Sequence, residues 1–154
     1  MTTHERWMEF ALKEARTAFS KNEVPVGAVV VHKGCIIGKG FNQVEVMNDP
    51  TAHAEMIALT AAASNLTSKW LTDCTLYVTL EPCPMCAGAI VLSRISTVVF
   101  GSFDPKMGAC GTLYNITNDK RLNHRVHTLG GVLDDTCSVL LRDFFKKKRR
   151  GGAS

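Results

Sequence analysis

The alternation of strand-like and helix-like stretches constrains this chain more than any other feature. Residues 26–31 form a β-branched run, Lys33-Gly34 is a turn signal, and residues 35–41 read as a second strand, so the pair forms a hairpin. After the hairpin the periodicity changes. Asp49, Pro50 and Thr51 mark a helix start, and residues 53–65 are an alanine-rich helix. Residues 75–80 form a strand, Pro82 opens a helix that runs through Ser93, and residues 97–101 form another strand. Residues 108–111 are a loop, 125–129 a short strand, and 134–147 a final helix. Ahead of the hairpin, Trp7, Met8, Leu12, Ala15 and Phe19 recur at helical spacing within residues 4–21. This alternation predicts an α/β sandwich with a partly parallel sheet. Sites in such sheets lie at the carboxyl ends of strands and at the helix starts that follow.

The 154 residues are expected to form a single domain, 1–154, with residues 146–154 as a basic C-terminal tail. A hydrophobic content of 45% supplies a core. The longest apolar run, residues 85–92, is far short of a bilayer span, so no membrane partner is expected. The first ten residues mix His4, Glu5, Arg6 and Glu9 among apolar ones, as an amphipathic helix does and a secretory signal does not. A soluble, cytoplasmic protein is the expectation. The net charge is +4, much of it from Lys146, Lys147, Lys148, Arg149 and Arg150. That basicity fits a polyanionic partner, and it equally fits a solvated tail. Of the six cysteines, Cys35, Cys74, Cys110 and Cys137 sit among apolar or small residues and are expected to be small core residues.

Cys83 and Cys86 differ. They are spaced i, i+3 at a helix start, which turns both sulfurs to one side, and a helix N-terminus favours thiolates. His53 opens a second helix. If the two helix starts abut, one imidazole and two thiolates make a three-ligand site. Zinc with three protein ligands keeps a fourth position for water, the catalytic pattern. Alone, Cys83-Pro84-Met85-Cys86 also suits a redox dithiol. Glu55, two residues after His53, has no use in a dithiol, whereas a metal-bound water needs a proton acceptor beside it.

His53-Ala54-Glu55 followed by Pro82-Cys83-Pro84-Met85-Cys86 carries the H-x-E and P-C-x-x-C signature of the zinc nucleobase deaminases. Beyond that signature, the chain resembles the bacterial tRNA-specific adenosine deaminases of the cytidine/deoxycytidylate deaminase superfamily over nearly its whole length. The matching segments are Glu23-Val24-Pro25-Val26-Gly27-Ala28, Asn42, residues 49–55 and residues 77–89, followed by Phe100-Gly101, Asp104-Pro105-Lys106, Gly108-Ala109, Asn123-His124-Arg125-Val126 and Asp143-Phe144-Phe145. The resemblance implies a three-layer α/β/α sandwich with a five-stranded mixed sheet, assembled as a homodimer.

It also implies one zinc ion per chain on His53, Cys83 and Cys86. Glu55 is implied as acid/base, in an attack of water on C6 of adenine that releases ammonia and leaves inosine. A stacked base cannot reach such a pocket, so an anticodon loop, at its wobble position, is the implied substrate. Asn42 is implied to hold the nucleoside and Ala54 to present backbone to the base edge. Asp104, Asn123, His124, Arg125 and Phe145 are implied to line the RNA surface. Phe144 and Phe145 lie about 100° apart on a helix, so at least one is expected in the core. Asn42, Asp104 and Asn123-His124 also read as turn or cap residues. Two alternatives stand beside this reading: a deaminase of a free base or nucleotide of guanine or cytosine type, and a non-catalytic zinc-stabilised RNA-binding module.

Overall fold

A computed structural model describes residues 1–151. Its elements are α1 (Thr3–Ser20), β1 (Gly27–His32), β2 (Cys35–Phe41), α2 (Val44–Met47), α3 (Ala54–Leu66), β3 (Cys74–Leu80), α4 (Pro84–Leu92), β4 (Thr97–Ser102), β5 (His127–Leu129) and α5 (Asp134–Gly151). The strands make one five-stranded sheet in the order β2-β1-β3-β4-β5. β1 pairs antiparallel with β2 and with β3, whereas β3–β4 and β4–β5 are parallel. A two-residue turn can join only antiparallel neighbours, and the parallel β3–β4 pair needs a crossover, which α4 provides.

Side-chain alternation along β1 separates the layers. Ala28 and Val30 pack with Ala54, Ala58 and Ala62 of α3 and with Ala87 and Ile90 of α4. Val29 and Val31 face the other way, onto Met8, Ala11 and Leu12 of α1 and Cys137 of α5. The result is the expected three-layer sandwich around a mixed sheet. No helix among the described residues is long and apolar enough to cross a membrane.

Several expectations shift. The strand expected over 125–129 is only His127–Leu129, because the Val126 N–H is drawn off to the Thr117 carbonyl at 2.8 Å. α2 was not expected; the buried carboxylate of Glu23 induces it by accepting the Glu45 and Val46 N–H groups at 2.9 and 2.8 Å. Cys35 is exposed at the first position of β2, beside the hairpin turn, while Cys74, Cys110 and Cys137 are buried as expected. The run Lys146–Arg150, expected as a tail, is helical: α5 continues through Gly151, and basic groups in its last turn suit the helix dipole. The remainder of that expected tail, residues 152–154, lies outside the described residues. Phe144 is 5% exposed and packs on Phe19, whereas Phe145 is 42% exposed, as their angular separation requires.

Candidate active site and metal centre

Two helix N-termini meet at the end of the sheet. His53 is the N-cap of α3 and Cys83 the N-cap of α4, both with extended backbone. Neither lies inside its helix as the sequence suggests; Pro84, not Pro82, opens α4, and Cys86 falls in the first turn. A cap residue holds its side chain beside the helix mouth, so the two caps and Cys86 converge. Asp49 shapes the approach to α3 with a turn of its own, its Oδ1 accepting the Thr51 N–H at 2.8 Å and the Thr51 hydroxyl at 2.7 Å.

His53 Nδ1 lies 3.6 Å from Cys83 Sγ and 3.5 Å from Cys86 Sγ, and the three ligand atoms lie within 4.8 Å of one another. A tetrahedral zinc with ordinary Zn–N and Zn–S bonds separates nitrogen from sulfur by about 3.6 Å. Donor type, number and spacing therefore fit one zinc ion with a fourth position open. Among the described residues this is the one group of His, Cys, Asp and Glu side chains that meets a metal-site geometry, and Glu55 is not part of it.

The electrostatics suit a metal. The Cys86 thiol donates to Cys83, and His53 adds to the effect; together they pull Cys83 down to about 4. The same hydrogen bond, seen from Cys86, holds the Cys86 thiol far above its usual range, with burial adding to it. The two sulfurs thus share one proton. Hydrogen bonding to Cys83 raises His53, and the Pro50 carbonyl acts on the ring in the same sense. Glu55, in the first turn of α3, is 4% exposed, and that burial pushes its carboxyl up to about 7. A carboxyl at that value can both accept and return a proton at neutral pH.

Asn42 follows β2 directly. Its Oδ1 accepts the Ala54 N–H at 2.8 Å, and among the described residues its Nδ2 donates to no protein group. The close approach depends on Gly40: a Cβ there would stand 2.6 Å from the Ala54 carbonyl oxygen, so a side chain would push α3 off the strand. The Ala54 N–H is therefore taken by Asn42.

The other expected residues are more dispersed. Asp104 makes a turn, its Oδ1 accepting the Lys106 and Met107 N–H groups at 3.0 and 3.2 Å. Asn123 and His124 are held at the C-terminal end of α4, the Asn123 carbonyl by Arg94 at 3.4 Å and His124 Nε2 by the Ile95 carbonyl at 2.6 Å. Nine residues of α4, about 13 Å of helix, separate that end from Cys83. Arg125 is exposed in a polar groove with Asn115, Asn118 and Lys120. Phe145 lines a groove of about 1200 Å³ along α5 with Arg142, Lys146 and Arg149, and Lys106 also borders it. The structure thus joins His53, Cys83, Cys86, Glu55, Asn42 and Ala54 in one place, and sets Asn123 and His124 at the far end of α4.

Sequence reasoning assigned no role to Glu23 and Glu81, two buried carboxylates that hold backbone amides of α2 and of the loop 104–112. The available signal was an acidic residue at the mouth of an apolar strand, Glu23 just before β1 and Glu81 just after β3.

Residues 1–102 match the zinc-binding region of the cytidine and deoxycytidylate deaminases. The chain is 49% identical over 150 residues to the tRNA-specific adenosine deaminase of Bacillus subtilis strain 168, covering 97% of this chain and 93% of that protein. A solved tRNA:A34 deaminase is similar at a TM-score of 0.85 and 38% identity, over 88% of this chain and 99% of that one. The guanine deaminase of Nitrosomonas europaea shares the fold at a TM-score of 0.82 and 25% identity, over 94% of this chain and 85% of that one. With His53, Cys83 and Cys86 gathered at zinc-ligand spacing, the chain belongs to the zinc-binding cytidine and deoxycytidylate deaminase family, on the branch of the tRNA-specific adenosine deaminases.

Proposed function

We propose that this protein converts adenosine to inosine in tRNA, at the wobble position of the anticodon. The observation that carries the chemistry is the buried Glu55 carboxyl beside, but outside, the His53–Cys83–Cys86 group. Zinc held by those three side chains supplies activation of water for attack on carbon. Glu55 accepts a proton from the attacking water, delivers it to N1 of the purine, and assists departure of the amine as ammonia. Asn42, fixed through Oδ1 to Ala54, turns its free Nδ2 to the nucleoside. Water enters and ammonia leaves, so the reaction needs no further reactant. The near full-length likeness to a tRNA-specific enzyme favours RNA over a free base, and a tRNA substrate fits a cytoplasmic location. Nucleoside mass analysis after incubation with total tRNA tests this reading. Inosine is the expected product; turnover of free guanine with no inosine in tRNA would replace it with the free-base alternative, and no ammonia release from any substrate would favour the non-catalytic one.

The RNA surface we assign comprises Asp104, Asn123, His124, Arg125 and Phe145. Phe145 stands among Arg142, Lys146 and Arg149, an aromatic ring within a cationic strip that suits a single-stranded loop. Phe145→Ala is expected to weaken binding of an anticodon stem-loop by about 1–3 kcal/mol, the usual worth of one stacked base. Lys146→Gln with Arg149→Gln should flatten the salt dependence of binding, by about 0.7 in log–log slope for each phosphate no longer neutralised. These two variants are preferred to truncation from Lys147, because Lys147 covers Phe19 and Lys148 covers Phe144. Binding titrations at several salt concentrations read both effects, and unchanged affinity and slope would make the strip a solvated face.

We also propose a homodimer. On α4, Met85, Gly88 and Leu92 share one side at i, i+3 and i+7, and Leu92 is 79% exposed. A Cβ added at Gly88 would meet nothing within 4 Å, so this side is open to a second helix. Light scattering should give twice the chain mass for the wild type and a shift toward the monomer for Leu92→Glu. A monomeric wild type at micromolar concentration would contradict this.

A further inference from the structure

Glu81 follows the last residue of β3 and lies two residues before the N-cap Cys83. It is 2% exposed, and among the described residues no cationic side chain pairs with it. All its acceptor capacity goes to one loop. Oε1 accepts the Asp104 N–H at 3.1 Å and the Thr112 hydroxyl. Oε2 accepts the Cys110 N–H at 3.0 Å and the Thr112 N–H at 3.1 Å. The next carbonyl, that of Pro82, accepts the Ala109 N–H at 2.8 Å. At Gly108 a Cβ would stand 2.5 Å from both Glu81 Oε1 and the Asp104 carbonyl oxygen, so only glycine lets the loop close on the carboxylate.

A buried carboxylate without a cation is costly, and an apolar side chain would fill the same space at less expense. What the carboxylate adds is order. Residues 103–112 contain no helix or named strand, so little of their backbone bonding comes from regular structure. Glu81 supplies three of their amides with a charged acceptor, the stronger kind of hydrogen bond. The loop carries Asp104, and its Lys106 borders the groove in which Phe145 stands.

We propose that Glu81 is a positioning residue, which locks loop 104–112 onto the zinc-bearing turn 81–83 so that the loop is preorganised to receive RNA. The proposal rests on the tRNA deaminase reading for its substrate and not for its geometry. Glu81→Gln keeps size and shape but presents an amide N–H₂ to backbone donors. Zinc and Glu55 stay in place, so a bound adenosine still reacts, and the loss falls on binding.

The test compares the wild type, Glu81→Gln, Thr112→Ala and a control, Tyr77→Phe, which removes a hydrogen bond to His4 on the α1 face of the sheet. Steady-state kinetics on an anticodon stem-loop should show KM raised about tenfold in Glu81→Gln, the usual effect of losing a hydrogen bond to a charged group, with kcat changed far less. Thr112→Ala should move KM the same way by a smaller factor and covers the case in which Glu81→Gln fails to fold. Tyr77→Phe should lower the melting temperature and leave KM alone. Zinc content should stay at one per chain in all four. Amide exchange without RNA should quicken at positions 104, 110 and 112 in Glu81→Gln, by a smaller factor in Thr112→Ala, and not in Tyr77→Phe. Unchanged KM together with unchanged exchange overturns the proposal, as does a fall in kcat through zinc loss. If the wild type proves inactive on RNA, the functional reading fails, and the exchange data still decide for or against the clamp.

Discussion

Replacing Glu55 by alanine is expected to abolish nearly all deamination while leaving zinc and fold intact. Loss of a positioned acid/base costs about 10²–10⁴-fold. The site geometry sets the direction: Glu55 lies outside the metal-compatible group and carries a carboxyl held near 7 by burial. Burial that raises this carboxyl makes its ionised form a cost to the fold at neutral pH, so removing it takes away little stability and the melting temperature should hardly fall. Single-turnover rates on a stem-loop, with zinc measured on the same sample, check this. Near-normal turnover would refute the assigned role, and loss of zinc would make Glu55 a ligand.

Cys86→Ala is expected to empty the metal site and to loosen the fold. Cys86 is fully buried and, with Cys83, ties the start of α4 to the start of α3 through the metal. An ion that binds only the folded chain stabilises it by about 4 kcal/mol when free ligand exceeds Kd a thousandfold. Losing that lowers the melting temperature by about 10 °C in a chain of this size. The same site should show a pH dependence in zinc affinity. Cys83 is ionised above about 4, whereas the Cys86 thiol holds its proton throughout the neutral range, so zinc must displace that proton. Affinity should therefore rise about tenfold per pH unit for the one proton displaced and weaken as pH falls, the more so once the raised His53 imidazole also protonates. Competition with a chelator across the neutral range measures the slope. A metal-free wild type with a Cys83–Cys86 disulfide would point instead to a redox dithiol.

The two predictions differ in how much of their warrant was legible before the fold was known. The spacing of His53 to Glu55 and of Cys83 to Cys86 is local, and a helix start converts it directly into geometry: an imidazole at the mouth, a carboxylate in the first turn, two sulfurs on one side. Element types were legible for the same reason, since the periods of strands and helices are properties of neighbouring residues. Boundaries slipped where a tertiary hydrogen bond intervened. The Thr117 carbonyl shortened β5, and Glu23 made a helix of residues 44–47 that carry no helical pattern of their own. The basic run after Phe145 looked like a tail because its composition is that of solvated chain, yet it continues α5, with Lys147 and Lys148 lying over Phe19 and Phe144.

By itself, the sequence determined an α/β alternation with a partly parallel sheet and offered His53, Cys83 and Cys86 as candidate metal ligands with Glu55 close to one of them, because strand and helix periods and spacing within one turn are local properties. Only the tertiary structure decided that the two helix starts meet at zinc-ligand distance, that Asn42 is held by Ala54, and that Glu81 gathers a loop 23 to 31 residues downstream. The same holds for the two adjacent phenylalanines, of which Phe144 went to the core and Phe145 to the groove. The Asn42–Ala54 contact and the closure of the loop on Glu81 depend on how close one segment can press on another, and glycines allow that approach, Gly38 and Gly40 under α3 and Gly108 against Glu81, where a Cβ would stand within 2.6 Å of a partner atom.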